Sequence, residues 1–253
     1  MNLPGYGEVA LSLVLAVVAI ALSRWRGLSV EKDMAWGSVR AFVQLIAVGY
    51  ALELVFDLER WWLIVLVIMV MIVVGAHAAS RRAKDVPRAF LTALFSITVG
   101  SAVTLATLLL LDVVDFEARY LIPLAGMVVG NSMNASALVM DRLGSEIRNN
   151  ALAIETSLAL GKSWRQASAP VQRRAAKAGM ISILNFLTTV GIVALPGAMT
   201  GMILAGADPL RAVLFQLIVA YMLLGAVTIT SVTAAELTVQ RFFTRLHQLR
   251  IGL

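Results

Sequence analysis

Between Trp61 and Ala79 the chain reads WWLIVLVIMVMIVVGAHAA, a run with no acidic or basic residue apart from one histidine. A stretch this apolar and this long can satisfy its backbone amides in hydrocarbon only as a helix, and about 20 residues are what a crossing takes. Trp61 and Trp62 open it as an interfacial anchor. Comparable spans read at Glu8–Leu22, Ser38–Phe56, Ala89–Leu111, Leu121–Leu143, Gly179–Leu195 and Leu210–Leu237. With 60% hydrophobic and 14% charged residues among 253, the composition belongs to a polytopic membrane protein. The predicted fold is all-α, with seven transmembrane helices in one permease domain over residues 1–253.

The connections predict an orientation. Basic residues cluster after spans 1, 3 and 5 and in the tail, and only Arg60, Arg119 and Arg211 fall on the other side. The positive-inside rule then places the N-terminus outside and the C-terminus inside. Glu8 and the lack of a basic opening segment favour a retained first span over a cleaved signal. The long connection, about residues 144–178, is predicted to be cytoplasmic. Pro196-Gly197 breaks span 6, and residues 196–209 read either as a short outer helix or as a re-entrant segment.

Several chemistries are excluded by what the residues lack. There is no cysteine, so no disulfide, thiolate metal site or Cys nucleophile. His77 and His247 stand far apart and form no HExxH-like cluster. No GxSxG elbow, catalytic acidic pair or Walker sequence occurs, so no catalytic residue is expected. An ATP-driven motor would have to be a separate chain.

Two neighbouring stretches carry the functional signal. The first, YLIPLAGMVVGNSMNASALVMDRL, sets Asn131, Ser132, Asn134 and Ser136 inside span 5. An unpartnered amide in hydrocarbon costs a few kcal/mol, so Asn131 and Asn134 should face protein or water. They read either as interhelical hydrogen-bond donors or as lining of a solute path. Gly126 and Gly130 fall four apart, a small-residue arrangement that lets another helix approach. Met127 and Met133 join the candidate path because thioethers suit soft ions, although methionine is also common apolar filler. In span 2, Gln44 and Glu53 are further path candidates, Gln44 also suiting a helix contact. The metal-ligating residues stay unassigned.

The second stretch is Glu155-Thr156-Ser157-Leu158-Ala159-Leu160-Gly161. Gly161 can end a short helix and turn the chain. Ile154, Leu158 and Leu160 would form an apolar surface rimmed by Lys162, Arg165 and Gln166. Such a helix suits a groove on a partner protein or an interfacial position on lipid headgroups.

Glu155 followed by small and apolar residues, with glycine at Gly161, resembles the coupling motif of ABC-transporter permeases. IPLAGMVVGNSMNASAL (Ile122–Leu138), VALPGAMTGMILAGADPL (Val193–Leu210) and VRAFVQL (Val39–Leu45) resemble the FetB family. Those are membrane subunits of an iron-export ABC transporter, related to plant aluminium-tolerance membrane proteins. The resemblance runs from about Arg40 to the tail. It implies a multi-pass protein of the cell inner membrane, acting in iron homeostasis under oxidative stress. It implies a homodimer served by a cytosolic FetA-type ATPase, which would hold the ATP and Mg. Glu155, Leu158, Leu160, Gly161 and Arg165 would then meet that ATPase. No cofactor is expected on this chain and no nucleic-acid partner. The competing reading is an ion-coupled secondary transporter using Glu53, Arg40 and Glu236, with an intramembrane enzyme a distant third.

Overall fold

The computed structural model describes residues 6–58, 60–244, 246 and 248–250. It divides into two compact units, Met1–Glu59 and Arg60–Leu253. Among the described residues the secondary structure is helical apart from two isolated bridges, Val190 with Ala194 and Phe243 with Leu249.

The first unit is a hairpin of α1 (Tyr6–Arg26) and α2 (Glu31–Leu58). Gly27 and Ser29 take positive φ in the turn, and the Ser23 hydroxyl donates to Glu31 Oε1 at 2.9 Å across it. Lys32 and Trp36, expected in a loop, therefore sit on the first turns of α2. Gln44 is exposed on this helix, and the side chain of Glu53 lies outside the described residues, as does His247.

The second unit holds α3 (Trp61–Arg82), α4 (Ala89–Leu110), α5 (Ala118–Asn149), α6 (Ala151–Ala159), α7 (Trp164–Thr189), α8 (Gly197–Leu204) and α9 (Pro209–Arg241). Among the described residues, α3, α4, α5 and α9 are long and apolar enough to cross a membrane. Their outward faces carry large apolar side chains: Val70 is 55% and Phe95 57% exposed, whereas Ala76 and Ile97 are fully buried. Such a distribution matches helices whose outer solvent is hydrocarbon.

Helix α5 is the axis of this unit, packing against α3, α4, α7 and α9. Two glycines permit the closest approaches. A Cβ on Gly100 of α4 would strike Thr230 and lie 3.0 Å from Ala226 O on α9. A Cβ on Gly179 of α7 would strike Val139 and lie 2.8 Å from Ser231 Oγ. Hydroxyls bridge the seams of α5 with α4 and α9, Ser96 with Ser136 at 3.1 Å and Thr230 donating to Ser132 at 3.1 Å. Without a hydrophobic force between helices in lipid, small residues and shared hydroxyls of this kind hold a bundle together.

Three boundaries differ from expectation. The connection at about 144–178 is largely helix, not loop: α5 continues to Asn149 and α7 starts at Trp164, well before Gly179. A capping box explains the early start, since Ser163 Oγ accepts from Gln166 N and Gln166 Oε1 accepts from Ser163 N at 3.0 Å. The alanine-rich sequence that follows favours helix. At its other end α7 stops at Thr189, short of Leu195, where Gly191 turns the chain with φ +83. Residues 197–204 then form α8.

Candidate functional site

Asn131, Asn134, Leu138 and Asp141 recur at three- and four-residue intervals, which places them on one side of α5. That side is open. With Arg82 of α3, Gly179, Ser182 and Ile183 of α7, and Val227 of α9, they line a cleft of about 410 Å³. Both asparagines are exposed to it. Asn131 Nδ2 donates to Met127 O at 2.8 Å, one turn back on its own helix. Its carbonyl oxygen remains as an acceptor, beside the amide of Asn134, the hydroxyl of Ser182 and the carboxylate of Asp141. These are hard oxygen donors, suited to hydrated cations or polar solutes more than to soft ions.

The remaining candidates scatter. Ser132 and Ser136 are fully buried on the opposite side of α5, in the hydroxyl bridges to α9 and α4. Met133 packs against Gly75 of α3 and the core, the filler role of a thioether. Met127 is half-buried outside the cleft lining. Gly126 and Gly130 host no close approach among the described residues: a Cβ on Gly130 meets nothing within 4 Å, and one on Gly126 only Met71 Cε at 4.0 Å. The tight contacts fall instead at Gly100 and Gly179. A sequence signal for the first existed in Thr92, Ser96, Gly100 and Thr104, small residues every fourth position along α4. Among the described residues no three His, Cys, Asp or Glu side chains gather as a metal site.

The turn beyond the cleft is built from α6. The helix ends in a Schellman motif: Gly161, at φ +84, donates to Leu158 O at 2.9 Å and Lys162 to Ser157 O at 3.1 Å. Only one side of a nine-residue helix can face the protein, and Ile154 takes it, 2% exposed, with Leu158 half-buried beside it. The expected outward apolar surface of Ile154, Leu158 and Leu160 is therefore divided. Leu160 and Leu152 point outward, 77% and 79% exposed, with Glu155 exposed between them. Arg165 is exposed too, its guanidinium over the Trp164 ring and 3.8 Å from Glu236.

Charged side chains clamp this turn to the bundle. Glu146 Oε2 accepts from Arg174 Nη2 at 2.8 Å and Oε1 lies 3.3 Å from Arg142, tying α5 to α7 around α6. Arg148 pairs with Asp85 at 2.7 Å, and Gln172 donates to Glu236 of α9 at 2.8 Å. The i,i+4 spacing from Arg142 to Glu146 is legible in the sequence, but periodicity gives no hint of Arg174, 28 residues away.

Membrane-length helices around a polar cleft, closed at one end by a charged helical turn, define a multi-pass helical membrane protein. The chain belongs to the family described as "Uncharacterised protein family (UPF0014)", whose model matches residues 6–243. It is 39% identical to "Protein ALUMINUM SENSITIVE 3" of Arabidopsis thaliana, over 98% of this chain and 91% of that one. It is 38% identical to "Probable iron export permease protein FetB" of Escherichia coli (strain K12), over 96% of this chain and 93% of that one. "UPF0014 membrane protein STAR2" of Oryza sativa subsp. japonica is 40% identical over 95% and 84%. The FetB-family resemblance read from the motifs is thus borne out across nearly the whole chain. No solved structure matches it.

Proposed function

We propose that this chain is the membrane-spanning permease subunit of an ABC transporter that exports a metal ion, of the iron class named for the Escherichia coli relative. Two copies form the pathway, and a separate cytosolic ATPase supplies the work. The reading has seven spans, the N-terminus outside and the charged end of the bundle in the cytoplasm of a cell with this chain in its inner membrane. The observation that carries it is α6: a short helix at the charged end, presenting Glu155, Leu152 and Leu160 outward, between the two helices that flank the cleft. A partner gripping α6 pulls on α5 and α7 directly.

The test is reconstitution with the co-expressed ATPase in liposomes, reading metal efflux and ATP hydrolysis together. Glu155→Lys should leave the chain folded yet lower transport-linked ATP hydrolysis by on the order of tenfold, as loss of one interfacial contact worth ~1.4 kcal/mol would. Gly161→Pro, which can neither take φ +84 nor donate to Leu158 O, should break the turn that ends α6 and lower it at least as far. Full stimulation of the ATPase by both variants would refute the coupling role. Efflux by the purified chain alone, driven by an ion gradient without ATP, would replace this reading with the secondary transporter.

A further inference from the structure

Away from the cleft, α4 and α9 run antiparallel and part at the charged end to leave a groove of about 430 Å³. Leu91, Leu94, Phe95 and Thr98 form one wall, Leu237 and Arg241 the other. The Thr98 hydroxyl donates to Leu94 O at 2.7 Å, so the walls offer hydrocarbon almost throughout. Arg241 is the exception. Its Nε–H is sealed from solvent and meets no acceptor among the described residues. A guanidinium stays charged under all ordinary conditions, and a donor left unpaired in apolar surroundings is costly.

A second guanidinium belongs to the residue that precedes α4 at this same end of the helix. Arg88 immediately precedes α4 in the left-handed conformation, with φ 56, and is exposed. It lies three residues before Leu91, within one turn's length of chain from the apolar wall. Neither arginine has an ion pair among the described residues. Three acidic side chains at this end are engaged elsewhere: Asp85 with Arg148, Glu146 with Arg142 and Arg174, Glu236 with Gln172, Gln240 and Arg165. Asp141 faces the cleft and Glu155 lies exposed on α6.

We propose that the groove binds one anionic phospholipid of the bilayer, its phosphate between Arg241 and Arg88 and one acyl chain along Leu91, Leu94, Phe95 and Leu237. The exposed walls belong to two helices long enough to cross a membrane, so lipid is the solvent they meet. A second copy of the chain would have to bring acidic side chains to both arginines and also cover apolar walls that face lipid. A soluble phosphate would use the charges and leave the apolar walls uncovered. Paired basic side chains at the membrane surface select acidic headgroups by charge.

Native mass spectrometry of the full chain, purified in detergent and exchanged into defined lipids, tests this. Phosphatidylglycerol should remain bound over phosphatidylcholine by about fivefold per basic side chain involved. Arg241→Gln and Arg88→Gln should each erase most of that preference. Thr98→Trp, which fills the groove and keeps both charges, should lower retention of both lipids. Equal retention of the two lipids, or an undiminished preference in both arginine variants, would overturn the proposal. Inorganic phosphate held as tightly as phosphatidylglycerol would overturn the lipid assignment in favour of a soluble anion. Loss of a dimer in Thr98→Trp without change in lipid retention would assign the groove to a second copy. Should Arg241→Gln fail to elute as a single species, Arg88→Gln and Thr98→Trp carry the test.

Discussion

The two sides of α5 meet different neighbours. On one, Ser132, Ser136 and Val139 are fully buried against α4, α7 and α9, where glycines bring backbones into near contact. On the other, Asn131, Asn134 and Asp141 open onto a cleft, and beyond it ion pairs around α6 tie the end of the helix to α7. Hydroxyls go to the sealed side and amides and carboxylates to the open one. A Ser or Thr hydroxyl is small enough to be satisfied by a facing helix, whereas an Asn side chain presents more donors and acceptors than a tight seam can match. One helix thus combines a fixed back with an accessible front.

That contrast can be broken most forcefully at Gly100. Gly100→Ala should lower the stability of the purified protein by about 1–3 kcal/mol, the usual cost of overpacking, because the new methyl meets Thr230 and Ala226 O. Gly130→Ala, on the open side, should change it by less than about 0.5 kcal/mol. Thermal unfolding in one detergent reads both, and equal shifts would erase the distinction.

A smaller effect is expected at the clamp. Glu146→Gln keeps the shape but removes the charge facing Arg174 and Arg142, whose side chains are half-exposed while that of Glu146 is 15% exposed. Partial solvent screening limits the loss to about 1 kcal/mol. A double-mutant cycle with Arg174→Ala measures it, and a coupling indistinguishable from zero would remove the clamp from the account. The smallest change in stability belongs to Asn134→Ala, under about 0.5 kcal/mol for an exposed side chain, with a severalfold loss of transport as its expected signature. If that variant unfolds more easily than Gly100→Ala, the cleft is packing and not pathway.

The sequence made the helical membrane class legible because hydrocarbon leaves the backbone so few options. It also brought Asn131 and Asn134 forward, since amides in a span demand an explanation. It could not separate them from Ser132 and Ser136, because which side of α5 faces which neighbour depends on helices far along the chain. Glycine spacing could not assign partners for the same reason: Gly126 and Gly130 satisfy the pattern, yet the close approaches among the described residues of one chain fall at Gly100 and Gly179. For α6, Gly161 announced the turn correctly. The inward placement of Ile154 and Leu158 followed from α6 lying against α5 and α7, a tertiary fact. The early start of α7 was legible in Ser163 and Gln166 and was overridden by counting apolar residues alone.

Helix α5 has 32 residues, so it is about 48 Å long at 1.5 Å per residue, well beyond the ~30 Å of a hydrocarbon core. Its single proline, Pro123, sits near the end remote from α6. From Asn134 to Asn149 the helix is continuous, without a joint at which motion could dissipate. A stiff rod of this length converts a sideways shift of about 3 Å at its tip into a tilt of only a few degrees. Gating through such a lever would therefore rest on small rotations that re-aim the Asn131 and Asn134 amides, with no need to unwind or refold the helix that carries them.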